Sequence, residues 1–206
     1  VVDGTSPHVV EPQYPAAVDR YVDLGRFYDL TAAKASAVEV KAHTAAYKSA
    51  YAKAYRHLKA ARQVELDAVS AAAKSFDSQR ARRRVEGIAA RELKSRGNQH
   101  GRTTLRFLGS ITHKGYIWRF DSVDALCSKV YAFMDTWERA GELLAFLHKT
   151  AVSRGWDTIL CLSPEDPNRP EHLLIPGLGL AFVTVRPGME YEQRPYRRVR
   201  LDAMAE

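Results

Sequence analysis

The segment KVYAFMDTWERAGELLAFLHKTAVSRGWDTILCL, residues 129–162, decides the fold class. Its first part, Lys129 to Met134, is a short apolar run typical of a buried strand, and Asp157 to Leu162 is a second run of this kind. Between them, Glu138 to Arg154 has the spacing of an amphipathic helix, and Gly155 marks its end. Strand, helix and strand in this order predict the parallel pairing of an α/β domain.

Further elements are predicted on both sides of this unit. Thr103 to Ile111 and Tyr116 to Phe120 bracket a turn at Thr112 to Gly115, which predicts a hairpin or two neighbouring edge segments. The other expected elements are a short helix at Val123–Ser128 and strands at Leu173–Ile175 and Leu180–Val185. Together they predict a three-layer α/β domain with a mainly parallel sheet over residues 98–206.

A long basic segment precedes this domain. From Thr31 to about Lys94 the residues Ala, Lys, Arg and Glu dominate, proline is absent and Gly87 is the only glycine, which is typical of helix. One rod of this length would extend about 95 Å. We therefore expect a helical hairpin over residues 31–97, with Thr31 as its N-cap and its turn at Ser75 to Ser78.

Two apolar stripes mark the expected faces of this hairpin. Tyr47, Tyr51 and Tyr55 recur at helical spacing, and aromatic residues at this spacing usually pack in a core. The second half carries a thinner stripe formed by Val85, Ile88 and Leu93. We expect the tyrosines to be core residues, and the two stripes are candidates to pack on each other.

The composition limits the class of protein. The net charge is +7, and residues 31–100 contain seven Lys and eight Arg against four Glu and two Asp, so the remainder of the chain is slightly acidic. No apolar stretch reaches the length of a membrane helix, and the first residues lack the pattern of a signal peptide, so we expect a soluble, cytoplasmic protein without a membrane partner. Cys127 and Cys161 are expected to be buried free thiols.

The residues after Lys129–Met134 lack the chemistry of a phosphate-binding loop. Such a loop needs several glycines, a lysine for the β- and γ-phosphates and a Ser or Thr for magnesium. Here Asp135, Thr136 and Trp137 are followed by the single glycine Gly141, and Glu142 falls where the lysine would lie. A carboxylate repels phosphate, so this stretch is better interpreted as a strand-to-helix turn with acids at a helix N-terminus.

Two other candidate sites have simpler interpretations. Ser163, Glu165 and Asp166 follow the end of a predicted strand, where doubly wound sheets bind ligands, but a Pro-flanked acidic turn is the more common meaning. A basic group on the second helix could bind anions or nucleic acid, although stacking aromatics and recognition motifs are missing, and we favour a solvated face or a partner contact. Its members are Arg80, Arg83, Arg84 and Arg91. The seven histidines show no zinc-binding spacing, and no metal site is predicted.

Several stretches carry a resemblance to a known family. They are Val2–Val10 (VDGTSPHVV), Tyr14–Asp19 (YPAAVD), Ala54–Ala61 (AYRHLKAA), Arg106–Tyr116 (RFLGSITHKGY), His172–Pro176 (HLLIP) and Gly179–Ala181 (GLA). Together they resemble a bacterial family of tandem P-loop ATPases of uncharacterised function, in which two nucleotide-binding-type halves are each followed by a helical insertion. The resemblance implies that residues 1–30, with a strand at Val1 to Asp3, are the remnant strand and connector of a preceding P-loop-like half. It also implies that residues 98–206 are a P-loop NTPase-like domain whose Walker A loop is degenerate.

Three functional hypotheses follow. The leading one is a degenerate P-loop ATPase-like protein without autonomous nucleotide hydrolysis and without a cofactor, acting as a structural, regulatory or assembly module. The second is a nucleotide-binding ATPase or kinase-like protein that binds ATP and Mg²⁺ in an unusual pocket, or with a P-loop from a missing half. Its partner would be a second copy of the chain or a subunit that supplies the P-loop. The third is a nucleic-acid-binding protein that uses the arginine-rich helix.

Overall fold

The computed structural model describes residues 13–97 and 99–204, so the strand expected at Val1 to Asp3 lies outside the described residues. The chain divides into two compact units, residues 1–57 and 58–206. The boundary falls inside the long helix α2 (Ala37–Ala73). Each unit is described by itself below.

The described part of the first unit is mainly helical. A 3-10 turn at Gly25–Phe27 precedes α1 (Leu30–Ala35) and the first half of α2. The N-cap of α1 is Asp29, whose carboxylate accepts hydrogen bonds from the backbone N–H groups of Thr31 and Ala32, both at 3.0 Å. The prediction that Thr31 is the cap is therefore wrong, because an acid two residues earlier binds the free N–H groups of the first turn.

The tyrosine stripe is exposed. Tyr47, Tyr51 and Tyr55 are 52%, 59% and 63% accessible to solvent, so the prediction that they are core residues is wrong. Their rings contact one another along the helix, with centroid separations of 6.2 Å and 6.0 Å. The helical spacing was correctly identified, but here it aligns the rings on a solvent-facing side of α2.

The second unit is a mixed α/β domain. Its helices, besides the end of α2, are α3 (Ser78–Glu92), α4 (Phe120–Leu126) and α5 (Ala140–Ser153). Its described strands are β1 (Thr103–Phe107), β2 (Gly109–Thr112), β3 (Gly115–Trp118), β4 (Lys129–Met134), β5 (Thr158–Leu162), β6 (Pro170–Ile175), β7 (Leu180–Val185) and β8 (Arg197–Arg200). The strands β2 and β3 form a separate antiparallel hairpin.

In the part of the chain that the structure describes, the main sheet has six strands in the order β1-β5-β6-β7-β4-β8. All strands run in one direction except β6, which is antiparallel to both β5 and β7. The expected parallel strand at Leu173–Ile175 is therefore an antiparallel one. Only seven residues, 163–169, join β5 to β6, and a parallel connection needs a crossover of a dozen or more.

The sheet has a hydrophobic core on each face. On one face, α3 and α5 cover a core that includes Tyr131, Phe133 and Phe182. On the other face, α4 contributes Phe120 and Val123 to a second core. Burial of each large apolar side chain contributes about 1.5–3 kcal/mol, so these layers hold the sheet in place. The arrangement agrees with the predicted α/β class and with three layers.

The apolar stripe on α3 packs against α5 and the sheet. Val85, Ile88 and Leu93 are buried in the core formed with α5 and the sheet. Helix α2 has no buried residue. The break between the helices falls at residues 74–77, in the region where the turn was expected. Packing of α2 and α3 as a hairpin stays a prediction.

Two simpler expectations concern the cysteines and the membrane. Cys127 and Cys161 are buried free thiols, which confirms the prediction for them. Among the residues that the structure describes, no helix has both the length and the apolar character needed to span a bilayer.

Candidate functional site

The loops at the carboxyl ends of β4, β5 and β7 converge at one edge of the sheet. They contain Asp135 to Arg139 after β4, Ser163 to Arg169 after β5, and Arg186 after β7. Because β6 is antiparallel, its first residues, including Glu171, begin at this same edge. The carboxyl edge is where open α/β sheets place their ligands, so its side chains define the candidate site.

The loop after β4 is closed by its own acid. Asp135 is 1% exposed, and its two carboxylate oxygens accept hydrogen bonds from the backbone N–H groups of Arg139 and Ala140, both at 2.7 Å. Ala140 begins α5, so these donors belong to the N-terminal end of a helix. A phosphate loop offers such N–H groups to a phosphate. Burial raises the pKa of Asp135, although both N–H donors act against this.

The other predicted loop residues lie around this turn. The backbone N–H and hydroxyl of Thr136 both donate to Asp202, at 2.8 Å and 2.9 Å. Trp137 is exposed, and Gly141 and Glu142 lie in the first turn of α5. The Glu142 side chain is on the exposed side of the helix. The structure therefore places Asp135, and not Glu142, against the N–H groups that a phosphate would need.

Glu138 occupies the centre of a cluster of arginines. Arg62, in the second half of α2, binds its carboxylate with both terminal guanidinium nitrogens, at 2.7 Å and 2.8 Å. Arg186 and Arg169 approach the same Oε1 atom at 3.0 Å and 3.2 Å. The side chain of Glu138 is 3% exposed, and its backbone has a positive φ of 57°, a conformation that non-glycine residues rarely adopt.

Glu165 is the second carboxylate of this cluster. Its Oε2 atom lies 3.3–3.4 Å from each of the three arginines. The hydroxyl of Tyr116 donates to its Oε1 atom, and burial together with this carboxylate raises the pKa of Tyr116 above its ordinary range. Ser163 accepts a hydrogen bond from Arg169 at 2.8 Å. Asp166 instead accepts the backbone N–H of Asn168 and closes the turn.

A buried acid, Glu171, binds one of these arginines, and a buried histidine lies next to this acid. Glu171 accepts a hydrogen bond from Arg186 at 2.9 Å. The Nδ1 atom of His172 accepts the backbone N–H of Thr184, so a neutral His172 carries its proton on Nε2. That atom faces the free oxygen of Glu171 at 3.4 Å, without a well-aligned hydrogen bond. Both side chains are fully buried.

We call this set of residues the Arg–Glu cluster: Arg62, Arg169, Arg186, Glu65, Glu138, Glu165 and Glu171. Burial alone would raise the pKa of Glu138, but the hydrogen bond from Arg62 and the charges of Arg169 and Arg186 hold the pKa below its ordinary value. Within the cluster, each carboxylate lies near at least one guanidinium. The cluster thus fixes the loops to one another and to the end of α2.

One part of the cluster has the composition of a metal site. A carboxylate oxygen from each of Glu65, Glu138 and Glu165 lies within 4.8 Å of the others. Three guanidinium groups already contact these oxygens, and a cation would have to displace them. The donor set therefore fits a network of ion pairs better than a site for Mg²⁺, whose carboxylate ligands must be free to approach the ion.

The sequence identified only part of this site. Ser163, Glu165 and Asp135 do lie at the carboxyl edge. The arginines considered as possible anion ligands are exposed on α3 and do not belong to the cluster: Arg80, Arg83, Arg84 and Arg91. Glu138 and the three cluster arginines were missed. The sequence offers one indication for them, the position of Arg186 directly after a predicted strand, as Asp135 is directly after β4.

Comparison of the chain with protein-family models, with curated proteins and with solved structures finds no match.

Proposed function

We propose that this protein is a degenerate P-loop ATPase-like module that does not hydrolyse a nucleotide by itself and acts in structure, regulation or assembly. The observation that carries this proposal is the position of Asp135. Its carboxylate accepts hydrogen bonds from two backbone N–H groups at the start of α5, those of Arg139 and Ala140, of the kind that a phosphate loop offers to a nucleotide phosphate.

Electrostatics makes this closure effective. Two unit negative charges about 4 Å apart repel each other by about 4 kcal/mol at an effective dielectric constant near 20. A triphosphate that entered the loop would be repelled by Asp135 and by the neighbouring Glu138. The cation of the loop, Arg139, is bound to the backbone carbonyls of Trp137 and Val69. No lysine occurs between Asp135 and Glu142 that could offset this repulsion. The three arginines of the Arg–Glu cluster are already bound to carboxylates.

The Arg–Glu cluster is suited to a mechanical role. It joins the loops after β4, β5 and β7 to Arg62 and Glu65 on the last part of α2. Arg139 adds a hydrogen bond from its guanidinium to the backbone carbonyl of Val69 on the same helix, at 2.8 Å. The carboxyl edge, which in an enzyme would open to substrate, here anchors a helix. Such an anchored edge supports a structural or assembly module.

Nucleotide binding provides the test. Calorimetric titration of the full chain with ATP and Mg²⁺ should give no binding heat. In a parallel thermal melt, 5 mM MgATP should leave the midpoint unchanged. A ligand present at 100 times its Kd stabilises a protein by about 2.7 kcal/mol, so an unchanged midpoint excludes a Kd below about 50 µM.

A charge-reversed variant distinguishes the effect of Glu142 from that of Asp135. Glu142→Lys places a cation near the start of α5 but leaves the Asp135 closure in place. We expect this variant to bind MgATP no better than the unaltered chain. Micromolar binding by the unaltered chain would overturn the proposal, and binding gained by Glu142→Lys would show that Asp135 does not close the loop.

A further inference from the structure

Helix α3 lies alongside the edge strand β8. At the start of α3, the backbone N–H of its N-cap residue Asp77 donates to the carbonyl of Met204, just after β8, at 2.7 Å. At its end, Glu92 accepts a hydrogen bond from Tyr131 of β4 at 2.6 Å. Tyr131 pairs with Arg197, the first residue of β8. The helix and the strand therefore run side by side in opposite directions.

The arginines of α3 divide between its two flanks. Arg82 stacks on the ring of Phe146 in α5, at 3.8 Å from the ring centroid, so this flank faces α5. Successive residues are rotated by about 100°, which places Arg80, Arg84 and Arg91 within about 40° of one another on the opposite flank. That flank is the one nearer β8. Arg83 points outward between the two flanks.

Strand β8 contains three more arginines, in the sequence RRVR, with Val199 buried and the arginines exposed. In the described part of the sheet, β8 pairs with β4 alone, so its other side is an open edge. Successive side chains of a strand point to opposite sides of the sheet, and Val199 belongs to the core that α3 covers, so Arg197 lies on the α3 side and the other two arginines on the opposite side. We call the arginines on the α3 side the α3–β8 basic face: Arg80, Arg83, Arg84, Arg91 and Arg197.

Two acids next to this face are paired with other cations, since Glu86 binds Arg82 and Glu92 binds Lys129. Asp77 and Asp202 accept hydrogen bonds from neutral donors and keep their negative charge. Among the described residues, Arg91 is the single member of the basic face with a carboxylate within 4.0 Å, that of Glu92 at 3.8 Å. The arginines of the face therefore outnumber the neighbouring acids that have no cation of their own.

We propose that the α3–β8 basic face binds nucleic acid through the phosphodiester backbone. Guanidinium groups match phosphate oxygens in geometry as well as in charge. Tyr196, which precedes β8 and is 56% exposed, provides an aromatic ring on which an unpaired base can stack. Among the described residues of α3, β8 and their flanks, Tyr196 is the single large exposed apolar residue. Protein interfaces have an apolar centre, and this face lacks one. Nucleic acid is thus favoured over an acidic protein.

A fluorescent 30-nucleotide single-stranded DNA tests this proposal by anisotropy, with an RNA of the same sequence alongside. Single strands lose affinity with a salt slope of about −0.7 per phosphate contact, so about five contacts predict a loss of about 130-fold between 50 mM and 200 mM salt. The variant Arg80→Glu, Arg83→Glu, Arg84→Glu should bind at least 30-fold more weakly. Arg197→Gln, which changes the member of the face on β8, should also weaken binding, by at least 3-fold.

A matched control carries the same change of net charge elsewhere: Lys59→Glu, Lys114→Glu, Lys149→Glu, all at exposed positions. It should weaken binding by less than 5-fold. The proposal is overturned if the unaltered chain retains neither DNA nor RNA at 50 mM salt, or if the control weakens binding as much as the α3 variant. It is also overturned if polyglutamate displaces the DNA at equal charge concentration, which would assign the face to an acidic protein. Circular dichroism of each variant establishes that it is folded.

Discussion

Neutralising Glu138 should destabilise the second unit strongly. The substitution Glu138→Gln keeps the size of the side chain but removes the negative charge at the centre of the Arg–Glu cluster. Arg62 then loses its two charged hydrogen bonds to Glu138 and keeps the one to Glu65. Arg169 loses one of its two carboxylate contacts, and Arg186 loses one of its four. The groups involved are largely buried, so water replaces little of this interaction.

The expected loss lies at the lower end of the range for a buried ion pair. Removing one partner of such a pair costs about 3–5 kcal/mol, because the other charge is left without compensation. Here Glu165 still lies 3.3–3.4 Å from all three arginines and compensates in part. We therefore expect a loss of about 3 kcal/mol in the free energy of unfolding. In Glu138→Gly, relief of the positive φ should return about 1 kcal/mol of the cost of losing the side chain.

Urea denaturation followed by tryptophan fluorescence measures this loss, because all three tryptophans, Trp118, Trp137 and Trp156, belong to the second unit. A double-mutant cycle with Arg62→Met should give a coupling energy of about 2 kcal/mol. The matched control is Glu86→Gln, which removes one acid of an exposed ion pair with Arg82 and should change stability by less than about 0.5 kcal/mol. If Glu138→Gln were no more costly than this control, the cluster would not hold the edge together.

Two further predictions concern acid and thiol chemistry. Burial acts to raise the pKa of Glu92, Glu138 and Glu171, but their basic neighbours outweigh it and leave each pKa below 4.5, so stability should fall with pH below about 4.5. Asp135 has a raised pKa, so its own contribution to the free energy of unfolding increases as the pH falls. A urea midpoint that is higher at pH 3.5 than at pH 5 would contradict the expected net loss of stability. Burial raises the pKa of Cys127 to about 11 and of Cys161 to about 12. Both thiols should therefore react with a disulfide reagent at pH 8 at least about 100-fold more slowly in the native protein than in urea, and rapid native labelling would refute their burial.

The sequence predicted the elements whose signal is local. The strands β4, β5 and β7 are runs of consecutive apolar residues, and α5 has a clear helical spacing that ends at Gly155. The direction of β6 was predicted wrongly, because an apolar run carries no information about direction. Strand β8 was missed for a related reason, since an edge strand with one buried residue in four has no hydrophobic pattern to detect.

The candidate site was harder to predict because its residues are brought together by the order of the strands. Arg62 and Glu138 are 76 positions apart, and their contact depends on where α2 ends relative to the loop after β4. Composition shows that arginines and glutamates are numerous but not which ones pair. The negative inference, that the loop lacks the means to bind phosphate, needed only the identity of its residues. The positive inference, that Asp135 fills the place of the anion, needed the hydrogen bonds.

The two acids of this loop, Asp135 and Glu138, together bind both kinds of group that could otherwise bind a phosphate. Asp135 satisfies the backbone N–H donors at the start of α5, and Glu138 satisfies the guanidinium groups that converge on the same edge. Without an anion, buried N–H donors would each cost about 1–3 kcal/mol, and uncompensated arginines would cost more. A loop that places buried N–H donors and arginines at one edge must therefore supply anions of its own. Glu138 is the second of these anions, and its strained backbone is consistent with its carboxylate being held where the arginines require it.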